Sequence, residues 1–492
     1  MILNSFLECL DIRSFLLFVT VFLLLAEILK NKNPPNFPPG PWPLPFLGNV
    51  FTVLDPKTMA KLAQEYGNIF SLRKGSERLV FVLGYKLVKE TLVNNREIFV
   101  DRPDIPLFND IFKGTGLISS NGHMWKKHRR FASLYFKPFG EGKKAMELYI
   151  KQECNFLCQA IEDHGKPCDP QYILTNAVSN IICTLVFGHR YDYSDPDFQT
   201  LLRLDAECIY LSGTTWAQLY NDFPRLMKFL PGPHQKIFSN YAKIIDFLEE
   251  EIKKHRKDWD PSDFRDFVDA YLGEVDKIKG DTEAGFNMKS LTISTLDLFE
   301  AGTESSATTL RWGLLYMMKY PDVQKGVQAE IDRVVGQSRL PTMADRVKMP
   351  YTDAVIHEIQ RKADILPLGF PKIASKDTTL DGCFIPKGTI VTINLSSVLN
   401  DKNEWETPDT FNPGHFLNSK GQFQRKDAFY PFSAGMRVCL GEQLARMELF
   451  LFFSSLLQRF TFSPPPGEEP DLEGVLGFTY APKPFKICAV AR

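Results

Sequence analysis

Cys439 lies in a turn near the C-terminus, within the stretch FSAGMRVCLG at 432–441. Gly435 and Gly441 flank it, and glycine lets a backbone fold tightly and approach a flat ligand closely. An apolar helical run begins directly afterwards, and the free N–H groups at a helix start favour thiolate over thiol. Arg437 adds a cation suited to a carboxylate. A thiolate, a close-approach loop and an arginine are together what a haem iron with propionate groups requires.

A second candidate site lies inside a long stretch without proline, 289–320, which predicts one helix about 48 Å long at 1.5 Å per residue. Its middle reads AGTESS at 301–306. Gly302 costs about 0.5–1 kcal/mol against alanine in a helix, which indicates a need for space. An acid and hydroxyls are expensive to bury in an apolar helix, although a polar patch at a helix contact would also explain Thr303, Glu304 and Ser305.

The cysteine string resembles the haem-ligand signature F-x-x-G-x-R-x-C-x-G of the cytochrome P450 superfamily. PFSAGMRVCLGEQLARMELFLF is similar to the animal microsomal family 2, in its fatty-acid-oxidising, subfamily J-like branch. A lone cysteine is usually a small buried hydrophobe, but the ten-residue string favours a metal ligand. The resemblance implies that the cofactor is haem b, with Cys439 as the axial ligand of iron and Phe432 and Arg437 beside the cofactor.

The string AGTESS resembles the family motif A-G-x-[DE]-T-[TS], whose acid and alcohol deliver protons when dioxygen is split. The resemblance gives these catalytic roles to Glu304 and Ser305, with Thr303 beside them. Serine replaces the usual threonine, so the β-methyl that restrains the hydroxyl rotamer is lost. We therefore expect more electrons to leak to peroxide. Glu300 is also unusual, because the family favours a small or apolar residue there.

Trp125 and Arg129 are four residues apart and project from one helical face. A solvated basic helix with a buried tryptophan would explain that spacing equally well. In the family, W-x-x-x-R donates to a haem propionate, and Arg102 resembles another propionate contact. Lys372 occupies a third such position, where arginine or histidine is more usual.

Glu358 and Arg361 form E-x-x-R, a spacing that ion pairs show on many helices. Taken together with the cysteine motif, the pair resembles the buried structural pair of the superfamily. His415 would complete that group in place of the usual arginine. The resemblance also implies a set of apolar residues that line the substrate pocket, each of which core packing would explain as well: Ile105, Leu107, Phe299, Ala301, Leu366 and Phe478.

Composition excludes several classes of protein. The chain has 492 residues, 44% of them hydrophobic, and a net charge of −1, which argues against an electrostatic nucleic-acid binder. Nine cysteines without a C-x-x-C pair favour a reducing compartment. Helical patterns dominate, with short β-rich runs at 69–73, 79–83 and 389–393. The predicted fold is mainly α with a small β subdomain, the cytochrome P450 fold with a single catalytic domain.

The N-terminal stretch 14–29 is apolar but slightly short of the roughly 20 residues of a membrane-spanning helix. A cleaved signal peptide is the alternative, although no small-residue cleavage site follows. More cations follow the stretch than precede it, which places the rest on the cytosolic side. A stiff proline-rich spacer comes next. We expect a transmembrane anchor at 1–31, a hinge at 32–46 and the catalytic domain at 47–492, on the endoplasmic reticulum membrane and facing the cytosol.

The sequence therefore predicts a haem-thiolate monooxygenase that inserts one oxygen atom of O2 into small apolar substrates. By resemblance these are polyunsaturated fatty acids such as arachidonate, steroids or xenobiotics, and NADPH-cytochrome P450 reductase supplies the electrons, with cytochrome b5 as an optional donor. Two alternatives remain: an isomerase or dehydratase that acts on lipid peroxides without a reductase, and a non-catalytic haem sensor. The acid and hydroxyl at 304 and 305 argue against both.

Overall fold

The computed structural model describes residues 12–52, 55–137, 144–165, 167–277 and 281–492. These residues form two compact units. The first unit contains the described residues up to Val100 together with 370–394, and the second contains 101–369 and 395–492.

The helices in chain order are α1 (Ile12–Lys30), α2 (Pro56–Tyr66), α3 (Tyr85–Lys89), α4 (Pro106–Phe112), α5 (Gly122–Phe136), α6 (Lys144–His164), α7 (Pro170–Phe187), α8 (Pro196–Ser212), α9 (Thr215–Asp222), α10 (Pro224–Met227), α11 (Pro233–Lys257), α12 (Phe267–Lys277), α13 (Met288–Lys319), α14 (Pro321–Val334), α15 (Met343–Arg346), α16 (Pro350–Ala363), α17 (Leu395–Leu399) and α18 (Glu442–Arg459). A π-helical turn follows α3 at Glu90–Asn94, and 3₁₀ turns lie at Thr282–Ala284 and Pro413–Phe416.

The strands are short. In chain order they are β1 (Ile69–Lys74), β2 (Glu77–Val82), β3 (Lys372–Ile373), β4 (Thr378–Leu380), β5 (Cys383–Ile385), β6 (Ile390–Ile393), β7 (Phe460–Ser463), β8 (Gly474–Leu476), β9 (Tyr480–Pro482) and β10 (Cys488–Ala491).

The first unit holds α1 to α3 and a sheet in the order β1-β2-β6-β3. Strands β1 and β2 pair antiparallel, β2 and β6 parallel, and β6 and β3 antiparallel. The three strands predicted from β-rich runs are β1, β2 and β6, each within two residues of its expected start. The prediction of a small β part is thereby confirmed.

Helix α1 occupies the apolar N-terminal stretch, where a helix was predicted, and most of its large apolar side chains are exposed. Over the part of the chain that the structure describes, no helix combines the length and the apolar character needed to cross a membrane. Residues 1–11 of the expected anchor lie outside the described residues. The anchor at 1–31 stays a prediction.

The proline-rich stretch after α1 lies along β1. The hydroxyl of Ser71 donates to the carbonyl of Pro38 at 2.8 Å, and its backbone N–H donates to the carbonyl of Pro39 at 2.7 Å. A Cβ atom on Gly40 would come within 1.9 Å of the Ser71 carbonyl oxygen. Glycine at position 40 therefore permits this close approach.

The second unit is mainly helical and is built around α13, which confirms the long helix predicted at 289–320 within one residue at each end. The side chain of Asn287 caps its start by accepting from the N–H of Ser290 at 3.0 Å. The helix packs most extensively on α7, where a Cβ atom on Gly302 would lie 2.4 Å from Ile182 Cδ1. The space that Gly302 leaves is therefore filled by a neighbouring helix.

Two apolar cores flank α13 in the second unit. One joins α6, the start of α7, α14, α16 and α18, and the other joins α8, α11 and α12 with the end of α7. Helix α18 begins at Glu442, directly after the glycine that ends the cysteine loop. The two candidate sites of the sequence thus lie on elements of one unit.

Candidate active site

The cysteine loop is a tight turn closed by its own backbone. The N–H of Cys439 donates to the carbonyl of Phe432 at 3.1 Å, and that of Val438 donates to Gly435 at 3.2 Å. Gly435 has φ +79° and Ser433 has φ +62°, in the left-handed region. The expected tight turn is present, with one left-handed position on a serine that the sequence analysis did not single out.

Cys439 lies deep in the second unit and is nevertheless exposed. Burial raises the pKa of its thiol, while the N–H of Gly441 and the charge of Arg129 lower that pKa. A side chain that is surrounded by protein and yet exposed faces an internal cavity. The N–H at the start of α18 therefore favours the thiolate, as predicted, but burial favours the neutral thiol more strongly. A bound metal ion would supply the remaining driving force for loss of the thiol proton.

Three arginines and a tryptophan gather near the loop. The guanidinium of Arg437 lies 4.0 Å from the ring centroid of Trp125, and it donates to the carbonyl of Ser120 at 2.6 Å. Arg129 donates to the carbonyl of Val438, the residue before the cysteine, at 2.5 Å. Arg102 is joined to Asn121, the residue before α5. The backbone N–H of Arg102 donates to the side-chain oxygen of Asn121 at 2.8 Å.

These guanidinium groups repel one another. Burial, reinforced by the charge of Arg129, lowers the pKa of Arg102 to about 10. Burial, and then the charge of Arg102, lowers the pKa of Arg437 to about 8. A buried group with two carboxylates would relieve this repulsion. The residues present therefore fit haem, with a sulfur at the cavity wall and cations for its propionates.

Two further residues were predicted to contact the cofactor. Phe432 begins the loop, and the guanidinium of Arg446 lies 5.2 Å from its ring centroid. Lys372 belongs to the first unit, where it is buried on β3 and pairs with Val391 of β6.

The acid and the hydroxyl of the oxygen-side motif are held by different partners. Glu304 Oε1 accepts from Thr308 Oγ1 at 2.9 Å and from Thr479 Oγ1 at 2.6 Å. The hydroxyl of Ser305 donates to the carbonyl of Ala301 at 2.8 Å, a back-bond of the kind that bends helices locally. The carboxylate is thus fixed by one residue on its own helix and by one from the C-terminal loop.

The hydroxyls on either side of this pair point to neighbouring helices. Thr303 accepts from Ser179 of α7 at 3.1 Å, and Ser306 donates to Glu448 of α18 at 2.6 Å. Burial raises the pKa of Glu448 to about 8. Thr303, predicted to assist catalysis, thus makes a helix–helix contact.

Glu300 lies beside another acid, Asp205 of α8. Burial and the charge of Asp205 raise the pKa of Glu300 well above its usual range, against a hydrogen bond from Tyr241. Burial, and then the charge of Glu304, raises the pKa of Asp205 to about 8. Nothing in the sequence pairs positions 205 and 300, because the two acids lie on different helices.

Glu358, Arg361 and His415 form one buried network. Arg361 donates to Glu358 through Nε at 2.8 Å and through Nη2 at 2.7 Å, and both side chains are 0% exposed. His415 Nδ1 lies 3.2 Å from Glu358 Oε2. The N–H of Thr407 donates to His415 Nε2 at 3.3 Å, so Nδ1 carries the proton and donates to the carboxylate. The geometry places the three predicted structural residues together.

The predicted pocket residues differ in surroundings. Leu107 and Phe299 are fully buried in the apolar core, whereas Ala301 is exposed although it lies in the middle of α13. Ile105, Leu366 and Phe478 are half-buried. Ala301 therefore faces an internal space.

Several residues at these sites were not found from the sequence. Phe108 meets Phe478 edge-on, with ring centroids 6.3 Å apart. Asp297 accepts from the N–H groups of Leu117 and Ile118 at 2.6 and 3.1 Å. The i,i+4 spacing of Glu304 and Thr308 is a signal that could have been used, but Thr479 carries no such signal.

The cysteine loop, the arginine cluster and the mainly helical fold define a haem-thiolate protein. The sequence matches the family model described as "Cytochrome P450" over residues 38–489, so the chain belongs to the cytochrome P450 family. It is 51% identical to human "Cytochrome P450 2J2" over 484 residues, which cover 98% of this chain and 96% of the relative. It is 49% identical to rabbit (Oryctolagus cuniculus) "Cytochrome P450 2J1" over 484 residues, which cover 98% of this chain and 96% of the relative.

Mouse "Cytochrome P450 2J5" is 47% identical over 495 residues, covering 100% of this chain and 98% of the relative. The chain is thus a microsomal family 2 member of the subfamily J type, as the motifs indicated. It is a haem-thiolate monooxygenase that binds haem b. Family 2 membership also implies association with the endoplasmic reticulum membrane.

Proposed function

We propose that this monooxygenase hydroxylates or epoxidises polyunsaturated fatty acids such as arachidonate, and also accepts steroids or xenobiotics. The observation that carries the proposal is the exposure of Ala301 inside the unit, one helical turn before Ser305. The half-buried, edge-on pair of Phe108 and Phe478 supplies further apolar surface. An apolar cavity beside an acid and a hydroxyl suits oxidation of a chain that offers few polar groups.

Bound haem would supply the activation of dioxygen at its iron, and the protein would hold it and handle protons. Cys439 would ligate the iron through its sulfur. Trp125, Arg129, Arg102 and Arg437 would bind the propionates, since their cationic or N–H donor groups gather in one place. Lys372 is a further propionate contact that rests on resemblance alone.

Glu304 and Ser305 would deliver protons on the oxygen side. A carboxylate can recharge a neighbouring hydroxyl through water, and such proton transfer contributes typically about 10²- to 10⁴-fold to a rate. Glu304 is fixed by Thr308 and Thr479, which orients its carboxyl group. The hydroxyl of Ser305 rotates more freely than that of threonine, which makes it the weaker part of the pair.

The predicted substrate pocket comprises Ile105, Leu107, Phe299, Ala301, Leu366 and Phe478. Ala301 and Phe478 would contact substrate directly, because both expose surface inside the unit. Leu107 and Phe299 would shape the wall from behind, because both are buried in the core.

The electron donor would be NADPH-cytochrome P450 reductase, with cytochrome b5 as an optional second donor. Helix α1 would anchor the chain as part of segment 1–31, with 32–46 as the hinge and 47–492 facing the cytosol. A second membrane contact is supported by three exposed apolar side chains around α10, Phe223, Leu226 and Phe229, of which Phe229 is 86% exposed.

The test is reconstitution of the full-length holoenzyme with the reductase, NADPH and a mixed panel of polyunsaturated fatty acids, steroids and drugs, followed by mass analysis. We expect products that gain one oxygen atom, formed only with NADPH and reductase. Conversion of lipid hydroperoxides without reductase, and no conversion of the panel, would contradict the proposal. Cys439→Ala serves as the matched control and should lose both product and the long-wavelength absorbance of the reduced carbon monoxide complex.

A further inference from the structure

A small cavity with both polar and apolar walls lies in the second unit between α7, α8 and α13. Its volume is about 20 Å³, and its walls include Asp205, Thr303, Glu304, Thr308 and Arg311. One water molecule needs about 10–15 Å³ measured in this way, together with polar partners. The cavity therefore has room for one ordered water.

Two buried side chains on its walls have polar atoms without a partner among the described residues. Asp205 is 2% exposed, and its Oδ1 accepts no hydrogen bond. Arg311 is 7% exposed; its Nη2 donates to the carbonyl of Pro482 at 3.1 Å, but its Nε donates to nothing. An unsatisfied buried donor or acceptor costs about 1–3 kcal/mol. A water that accepts from Arg311 Nε and hydrogen-bonds to Asp205 Oδ1, as acceptor when the carboxyl is protonated and as donor when it is ionised, would satisfy both.

Glu304 lies on the same cavity wall as these two groups. Its Oε1 is held by Thr308 and Thr479, so the carboxylate is fixed at the cavity. The lining also includes Gln171, which is half-buried, and Tyr172, which is 52% exposed. These two residues form a rim at which the cavity reaches the protein surface.

We propose that this cavity holds an ordered water that passes protons from Asp205 to Glu304. The inference rests on the proton-delivering role proposed above for Glu304. Asp205 acts only through the water and Glu304, and it is therefore a positioning residue for the reaction. When Glu304 has given up a proton, the water protonates its carboxylate and recovers a proton from Asp205, which is then reprotonated from solvent at the rim.

The charges around Asp205 suit a group that holds a proton and releases it. Glu300 and Glu304 of α13 face it, as do Tyr241 of α11 and Cys208 of its own helix. Burial and the charge of Glu304 raise the pKa of Asp205 to about 8, so it carries its proton near neutral pH. Arg311, the cation that lines the same cavity, interacts with the charge of Glu304.

The variant that tests the relay is Asp205→Asn, which keeps the shape and one acceptor but cannot exchange a proton. Glu207→Gln is the matched control, because it removes a carboxylate two residues along α8 that binds Lys236 and Asn240 instead. We expect peroxide release per NADPH to rise about five- to tenfold in Asp205→Asn and to stay unchanged in Glu207→Gln. The rise in Asp205→Asn should be smaller than the about 10²- to 10⁴-fold effect of an acid that reacts directly. In the wild type, coupling should fall as pH rises through about 8, and this pH dependence should be absent from Asp205→Asn.

A second measurement needs no variant and no turnover. A high-resolution crystal structure of the holoenzyme should show a water within hydrogen-bond distance of both Asp205 Oδ1 and Arg311 Nε. A dry cavity, or peroxide release and a pH profile unchanged in Asp205→Asn, would overturn the relay. Glu304→Gln separates the two proposals: if it uncouples the enzyme while Asp205→Asn does not, only the relay fails, and if neither uncouples, the role of Glu304 fails as well.

Discussion

Two buried groups of charged residues in the second unit are built in opposite ways. At the scaffold network, all five N–H donors of Arg361 are used, two by Glu358 and three by the carbonyls of Leu399, Pro408 and Thr410. At the oxygen side, Asp205 and Glu300 each retain an oxygen without a partner among the described residues. One group is saturated with hydrogen bonds, and the other is not.

The difference separates structural from chemical use of buried charge. A saturated ion pair resists movement, since every alternative arrangement breaks hydrogen bonds. Acids that lie close together without a full set of donors keep their protons at neutral pH, as the raised pKa of Asp205 to about 8 indicates. Burial alone therefore does not identify function, but the number of unused hydrogen-bonding positions does distinguish the two groups.

The largest effect is expected at the saturated network. Arg361→Ala leaves Glu358 charged and buried, and breaking such a pair costs about 3–5 kcal/mol. We expect this variant, and Glu358→Ala likewise, to incorporate no stable haem, measured by the reduced carbon monoxide difference spectrum. Lys362→Ala is the control, because this neighbouring lysine binds the same peptide stretch at Pro408 and Asp409 but is not part of the ion pair. Normal haem content in Arg361→Ala would show that the network is dispensable.

A smaller effect is expected from titration of the oxygen-side acids. The pKa of Asp205 is raised from 3.8 to about 8, so the folded state binds more protons than the unfolded state within that window. The free energy of unfolding should therefore fall as pH rises from about 4 to about 8. Denaturant titrations at pH 5 and pH 8 give the loss of unfolding free energy between these pH values. We expect this loss to be smaller in Asp205→Asn than in the wild type by at least about 1.4 kcal/mol, the equivalent of one pKa unit.

Asp345 provides a control of opposite sign for this titration. Its hydrogen bond with Arg339 lowers its pKa to about 2, so its stabilisation is present at neutral pH and is lost only as pH falls below about 4. Asp345→Asn should be destabilised equally at pH 5 and pH 8. If Asp205→Asn behaved in the same way, the contrast between the two buried groups would not hold.

The smallest effect is expected at Ser305. Threonine there would restore a β-methyl that limits rotation of the hydroxyl, and its bond to the carbonyl of Ala301 would be kept. We expect Ser305→Thr to lower peroxide release per NADPH about two- to threefold, a change below 1 kcal/mol. Equal release by the wild type and the variant would mean that rotation of the hydroxyl does not limit coupling.

The sequence was most informative where local rules operate. Helix α13 was predictable because a long stretch contains no proline, and the cysteine turn was predictable from its glycines. The i,i+3 spacing of Glu358 and Arg361 is compatible with an ion pair, but the buried pair was implied by the resemblance to a family. The ligand and propionate roles came from resemblance to a family and not from spacing.

Contacts between distant parts of the chain could not be predicted in this way. Thr479 reaches Glu304 across 175 positions, and Asp205 meets Glu300 across two helices. The resemblance also gave Leu107 and Phe299 as pocket residues; both are enclosed in the core, and their role in the pocket stays a prediction. Periodicity predicts which face of a helix is apolar, but it does not distinguish a cavity wall from packed interior.

The missing side chain at Gly302 has a consequence for the evolution of this enzyme. Because even a methyl group there would overlap Ile182, the bulk of this aliphatic side chain sets the distance between α7 and α13. The hydrogen bond between Ser179 and Thr303 ties the same two helices one residue further along. Substitutions at position 182 would therefore displace Glu304 and Ser305. A change in this apolar contact would then alter how the enzyme uses oxygen, although the acid and the hydroxyl themselves stayed the same.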